Sequence, residues 1–263
     1  MKVIFWALLS LLSSFQVLAE VPASSGESFC SDRQDLNFVK NLTLNANNLM
    51  PFVNQGGLAN AGVCWWHSRF QRNALYLTSY APELSKPTED EARDLIKQIR
   101  RAENVIRIPG FENFSQFALE NEALIQKELE KWQKHDAFIR FAWVKGLMGR
   151  VKTNPKRMKK IMDKIYEDVE SNKNIAYNKL QLPGIEAHAW LVIHMEKVEN
   201  GYDLEILDSN ISDHTEVYKY REGESNLVGL AGDDLLEFSP YLDKTREMKK
   251  IKRVISKECN PEI

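Results

Sequence analysis

The sequence predicts an α+β fold, with helices through the first two-thirds of the chain and an antiparallel sheet in the last third. Three observations lead there. Apolar residues recur at helical spacing between Cys64 and Asn172. The stretch Ala189 to Val198 is dense in Val, Ile and aromatic residues. Asn200-Gly201 then supplies a two-residue hairpin signal before an alternating run, Tyr202 to Leu207.

The helical elements follow in order. Trp66, Phe70, Ala74 and Leu77 mark one buried face, so a helix is expected from about Cys64 to about Ser79, with Gly62 before it and Pro82 past its end. Thr88 caps a second helix whose first turn carries Glu89, Asp90 and Glu91, and Ile108-Pro109-Gly110 is read as its end. A long helical region is expected from about Phe114 to Leu147, in two pieces. Another helix starts at Asn154-Pro155, with Pro in the first turn, and runs to about Asn172. After the two strands joined at Asn200-Gly201, Glu216 to Tyr220 is a third strand candidate.

Composition narrows the function classes. The 263 residues are 43% hydrophobic, enough for one sizeable core, with or without a small second subdomain. A formal net charge of -2, with Lys and Arg interspersed among Asp and Glu, predicts no nucleic-acid partner. Two basic runs, Lys156 to Lys160 and Lys249 to Arg253, have amphipathic spacing and read as solvated helix faces. Lys2, the apolar run Val3 to Leu12 and the small residue closing Val17-Leu18-Ala19 match a secretory signal cleaved after Ala19. That apolar run is shorter than the roughly 20 residues a membrane helix needs. The expectation is a secreted or periplasmic protein with no stable membrane insertion after cleavage.

The chain has three cysteines, Cys30, Cys64 and Cys259. In an oxidising compartment, pairing is expected for the two near the chain ends, Cys30 with Cys259, which leaves Cys64 outside the bridge. The alternative is that none is paired and Cys64 is a small buried residue. The cysteines have no close spacing and no His pair near them, so no metal site and no cofactor are expected.

Cys64 follows a glycine-containing loop, Asn54-Gln55-Gly56-Gly57 through Gly62-Val63, and stands in the first turn of its helix. Exposed N–H groups and the positive end of the helix dipole there favour a thiolate, and the same N–H groups can donate to an oxyanion. A thiolate nucleophile needs a base. His67 lies one turn along the same helix, too close in sequence to leave space for a substrate, and His135 and His214 fall in polar stretches. His188 opens the first strong strand, and His194 is six residues beyond it, about 20 Å along an extended chain. The hairpin through Asn200-Gly201 brings Asp208 back near His188, where a carboxylate can fix the imidazole tautomer. Asn210 shares the strand parity of Asp208, so alternation leaves both open. Asp208 is preferred because it follows the apolar strand directly and because a carboxylate stabilises imidazolium.

The order Gln55, Cys64-Trp65, His188-Ala189 and Asp208 resembles that of the papain-like cysteine peptidases. The 124 positions from Cys64 to His188 fall slightly short of the roughly 130–150 of that type. The resemblance implies that Gln55 is the side-chain oxyanion donor, Cys64 the nucleophile and His188 the base, with Asp208 in place of the usual asparagine. It implies a papain-like layout, a helical N-terminal half packed against a C-terminal antiparallel sheet. Segment 20–53 would be an N-terminal leader, and 54–263 a catalytic domain carrying a helical insert at about 87–174. The expected activity is hydrolysis of amide bonds in a peptide or protein substrate. The spacing from Gln55 to Cys64 is longer than the family's, and the family's Asn-Ser-Trp-Gly signature is replaced by Asp208-Ser209-Asn210. His188-Ala189-Trp190 also resembles the transglutaminase-like branch, which implies acyl transfer to an amine as the alternative activity. A binding module that has lost catalysis is the third.

Overall fold

A computed structural model describes residues 22–58, 62–140, 153–181, 187–211, 214–231, 234–242 and 246–260. The expected signal segment, 1–19, and residues 141–147, into which the long helix was expected to run, lie outside the described residues. The architecture is α+β. Two short helices, α1 (Phe29–Asp32) and α2 (Phe38–Leu42), precede α3 (Cys64–Leu77), β1 (Thr78–Ala81), α4 (Glu89–Arg101) and β2 (Ile106–Pro109). Then come α5 (Phe114–Glu120), α6 (Glu122–Arg140), α7 (Pro155–Tyr166), β3 (Ala176–Gln181), β4 (Ala187–Val198) and β5 (Gly201–Asp208). The chain closes with β6 (Glu216–Arg221), β7 (Leu227–Ala231), β8 (Asp234–Leu242) and α8 (Arg246–Cys259).

The main sheet has six strands in the order β6-β5-β4-β3-β8-β7, every adjacent pair antiparallel. Strand β4 is buried on both faces. Trp190 and Val192 pack with Met158, Ile161, Met162 and Ile165 of α7. Ala189, Leu191 and Ile193 pack with Leu75, Tyr76 and Leu77 of α3 and with Met248 and Ile251 of α8. A third cluster joins Phe70 and Ala74 of α3 to Ile96, Ile99, Phe117, Ile125 and Leu129. Helix α3 therefore stands between the helical half and the sheet, and it is the element that carries Cys64.

Several elements differ from the sequence reading. Helix α3 ends at Leu77 because Thr78 to Ala81 pairs in parallel with Ile106 to Pro109. The latter segment alternates Ile in and Arg out, a period-2 pattern too short to separate from a helix end by sequence alone. Helix α4 has the expected Thr88 cap, with a full capping box to Glu91, but it stops at Arg101, where Ala102 turns left-handed at φ 50. Strands β3, β7 and β8 carry no strong signal of their own and exist through pairing. Residues 22–53 are part of the body: Phe29, Val39, Leu42, Leu49 and Phe52 are buried. Arg33 donates from Nε to the Tyr76 carbonyl (3.0 Å) and from Nη2 to the Leu75 carbonyl (3.0 Å), covering the end of α3.

Cys30 of α1 and Cys259 of α8 form a disulfide with Cα atoms 5.4 Å apart, across a sequence separation of 229. Cys64 lies outside it. No helix among the described residues is long and apolar enough to cross a membrane. Because the bridge restrains a very long loop in the unfolded chain, replacing both Cys30 and Cys259 by Ser is expected to cost about 2–5 kcal/mol. Urea unfolding of the two proteins checks this; an unchanged midpoint would show that the bridge adds nothing to stability.

Candidate active site

Cys64 is the first residue of α3, and Val63 precedes it as the cap position. Val63 O accepts from the N–H groups of Trp66 (2.9 Å) and His67 (2.9 Å), so the Cys64 and Trp65 N–H groups precede the intrahelical bonds. The first turn is fastened to the sheet by three bonds. Trp65 Nε1 donates to the His188 carbonyl (2.8 Å), Ser68 Oγ to the Ala189 carbonyl (3.0 Å), and Tyr177 Oη to the Trp65 carbonyl (2.9 Å). These fix the tip of α3 against the start of β4.

His188 is held from two sides. Its Nε2 meets Asp208 Oδ1 at 2.7 Å, and its ring also hydrogen-bonds the Cys64 side chain. With Nε2 taken by the carboxylate, Nδ1 is the nitrogen left for the sulfur. Asp208 reaches this position because β4 and β5 pair Trp190 with Asp208, two residues from His188 on the same strand face. Asp208 Oδ1 also accepts from the Asn210 N–H at 2.8 Å, which fixes the carboxylate. Trp190 walls the site, its ring 6.3 Å from that of His188, edge to face.

Burial disfavours a charged imidazole at His188, but the hydrogen bonds to Asp208 and Cys64 and the carboxylate charge outweigh it. The ring is held up at about 10, against its ordinary 6.5. His67 is the opposite case. It is fully enclosed, its Nε2 donates to the Phe52 carbonyl (3.0 Å), and burial pushes it down to about 4. The two imidazoles are thus shifted in opposite directions, His188 toward its charged form and His67 toward its neutral form.

The remaining sequence candidates are placed as follows. Asn210 is beside the site but not on the imidazole; its Oδ1 accepts from Asn54 Nδ2 (3.1 Å). Gln55 is exposed, and its amide donates to Glu122 Oε1 (3.1 Å) on α6, so the structure does not bring that side chain to Cys64. His194 lies past a bulge between Val192 and His194, which turns it outward onto Glu170 Oε1 (2.8 Å). His135 is exposed beside Asp136. Among the described residues no group of three or more His, Cys, Asp or Glu could hold a metal ion.

Sequence reasoning missed the residues that shape the loop before Cys64. Asn54 is central. Its N–H donates to the Ser209 carbonyl (2.6 Å), its Nδ2 to Asn210, and its Oδ1 accepts from the Val63 N–H. One side chain thus ties the residue before the cysteine to the turn after Asp208. Gly62 sits at φ 80, and a Cβ there would lie 2.5 Å from Asn54 Nδ2, so the position needs glycine. Helix α6 supports the loop from the other side. Gln126 donates to the Gln55 carbonyl (2.9 Å), Gln133 Oε1 accepts from the Leu58 N–H (2.7 Å), and Gln133 Nε2 donates to the Gly62 carbonyl (2.8 Å). The only sequence signal for these contacts is polar residues at helical spacing on α6, indistinguishable from a solvated face.

No protein-family model matches the chain, and neither a curated protein nor a solved structure matches it at a significant level.

Two outcomes follow from this geometry. In a histidine ring NMR titration, one imidazole should titrate near 10 and another near 4; Asp208→Asn should move the high one down, since it removes a charge that favours the proton. Because the proton on His188 binds more tightly in the folded state, its stability contribution is full below 6.5 and lost as pH rises through about 10. Separately, Asn54→Ala should leave the overall fold intact while destabilising it by about 1–3 kcal/mol, through the unpaired Val63 N–H. Urea unfolding measures that difference, and an unchanged midpoint would contradict the role given to Asn54.

Proposed function

We propose that this chain is an exported cysteine hydrolase of the papain-like superfold that cleaves amide bonds in a peptide or protein through a Cys64-His188-Asp208 arrangement. The observation that carries the reading is the two-sided hold on His188, with Cys64 on one side of the ring and Asp208 on the other. An imidazole kept cationic beside a sulfur favours a thiolate–imidazolium pair, the resting form of an activated cysteine.

The chemistry balances as follows. The Cys64 sulfur attacks the carbonyl carbon and forms a C–S bond, and the oxyanion is received by the N–H groups of the first turn of α3. As the C–N bond breaks, His188 passes its proton to the departing amine. Water then attacks the thioester and gives its proton to His188. The C–S bond breaks, the acid leaves, and the thiolate is restored. Asp208 holds the ring orientation throughout. The oxyanion role expected of Gln55 is not part of this reading, since its amide is engaged with Glu122.

A non-catalytic binding module is favoured by one observation: Cys64 is only 6% exposed. Hydrolysis of a fluorescein-labelled casein separates the readings. Cys64→Ser is expected to abolish cleavage, and His188→Ala to slow it about 10²–10⁴-fold, the usual contribution of a general acid–base. Full activity in either variant would exclude the mechanism, and an inactive native protein would favour the binding module. Addition of a primary amine to the assay, with mass analysis of the products, distinguishes hydrolysis from acyl transfer.

A further inference from the structure

A sizeable cleft of the described structure lies away from Cys64. It has a volume of about 930 Å³ and opens where the start of β3, the end of α7 and the start of α8 meet. That is the size range of small-molecule sites, roughly 300–1,000 Å³. Arg72 marks its floor, eight residues from Cys64 on α3, or about 12 Å along the helix axis.

The floor is polar and buried. Arg72 is 2% exposed, held by Glu247 (Nη2 to Oε2, 2.9 Å) and lying over the Tyr177 ring at 5.1 Å. Asn174 lines the same floor, fixed by Asp168 Oδ1 (2.6 Å). The rim is cationic. Lys164, Arg246, Lys249 and Lys252 line the cleft, and among the described residues none of the four has a carboxylate within ion-pair distance. Against them stand Glu167 and Asp168. Arg72 is matched by Glu247, and the rim cations outnumber Glu167 and Asp168 in a chain whose net charge is -2. The basic run of α8, read in the sequence as a solvated face, therefore places two of its lysines over a concave surface.

The wall nearest this rim is irregular backbone. The chain leaves α7 through a π-helical turn, Glu167–Ser171, and Lys173 follows at φ 53, a left-handed conformation uncommon for a residue other than glycine. Turns of that kind recur at functional sites.

We propose that this cleft binds a small multivalent oxyanion, a phosphate-bearing or polycarboxylate molecule, between the cationic rim and the Arg72 floor. Lys164, Arg246, Lys249 and Lys252 outnumber Glu167 and Asp168 on one concavity, and such an excess of cations raises the local concentration of an anion. Guanidinium and ammonium groups suit phosphate and carboxylate oxygens alike. The proposal does not depend on the chemistry at Cys64.

Isothermal titration calorimetry of the full exported chain, with inorganic pyrophosphate and with citrate at low ionic strength, tests it and distinguishes the two ligand sources. At least one anion is expected to bind with one-to-one stoichiometry, weakening as salt rises. The double variant Lys249→Glu, Lys252→Glu should reduce affinity about tenfold or more. A control with the same charge change on the other basic run, Lys156→Glu, Lys160→Glu, should leave it within about twofold. Lys249 and Lys252 are exposed, so the charge changes disturb no core packing. Binding of neither anion would overturn the proposal, and so would a control variant that weakens binding as much as the cleft variant.

Discussion

The seam between the first turn of α3 and the start of β4 is the constraint on which the site depends. Cys64 belongs to the helical half and His188 to the sheet, and they meet because Trp65, Ser68 and Tyr177 bond across that seam. Two of the acceptors are the backbone carbonyls of His188 and its neighbour Ala189, so the fastening acts at the residues it positions. The apolar packing of Leu75, Tyr76 and Leu77 against the odd-numbered face of β4 supplies the bulk of the contact. The three hydrogen bonds set its register. A shift of α3 by one turn would move the sulfur by about 5.4 Å and remove it from the imidazole.

Around this seam the structure is held from several directions. The disulfide joins α1 to the end of α8, and α8 in turn covers the sheet face on which α3 lies. Arg33, from the segment before the loop, covers the last carbonyls of α3, while Asn54 holds the residue at its start. Both ends of the helix are therefore fixed by residues from 22–58, which makes that segment a structural part of the site. The electrostatics follow the same plan: Asp208 is fixed by the Asn210 N–H and in turn fixes the imidazole.

Much of this was legible in the sequence where the signals are local or strongly periodic. The start of α3 at Cys64, the cap at Thr88, Pro155 in the first turn of α7 and the Asn200-Gly201 turn each rest on a few adjacent residues, and each appears where expected. The return of Asp208 to the neighbourhood of His188 followed from hairpin counting. What escaped depends on pairing at a distance. Strands β1 and β2 are four residues each and pair with one another, β1 being bridged also by Ser25 at Tyr80. The role of Asn54 needs the turn after Asp208, 154 or more positions away, which no local pattern encodes. Gln55 shows the limit of motif order: a residue can stand in the expected sequence order and still turn its amide toward Glu122.

The central claim is that Cys64 owes its chemistry to His188. The most direct measurement is the rate at which iodoacetamide modifies Cys64 at pH 6 in the native protein and in His188→Ala, with the site of modification read by mass spectrometry. The account predicts that the native thiol reacts at least about tenfold faster, because the neighbouring imidazolium favours the reactive thiolate. Equal rates, or faster labelling of the variant, would contradict it.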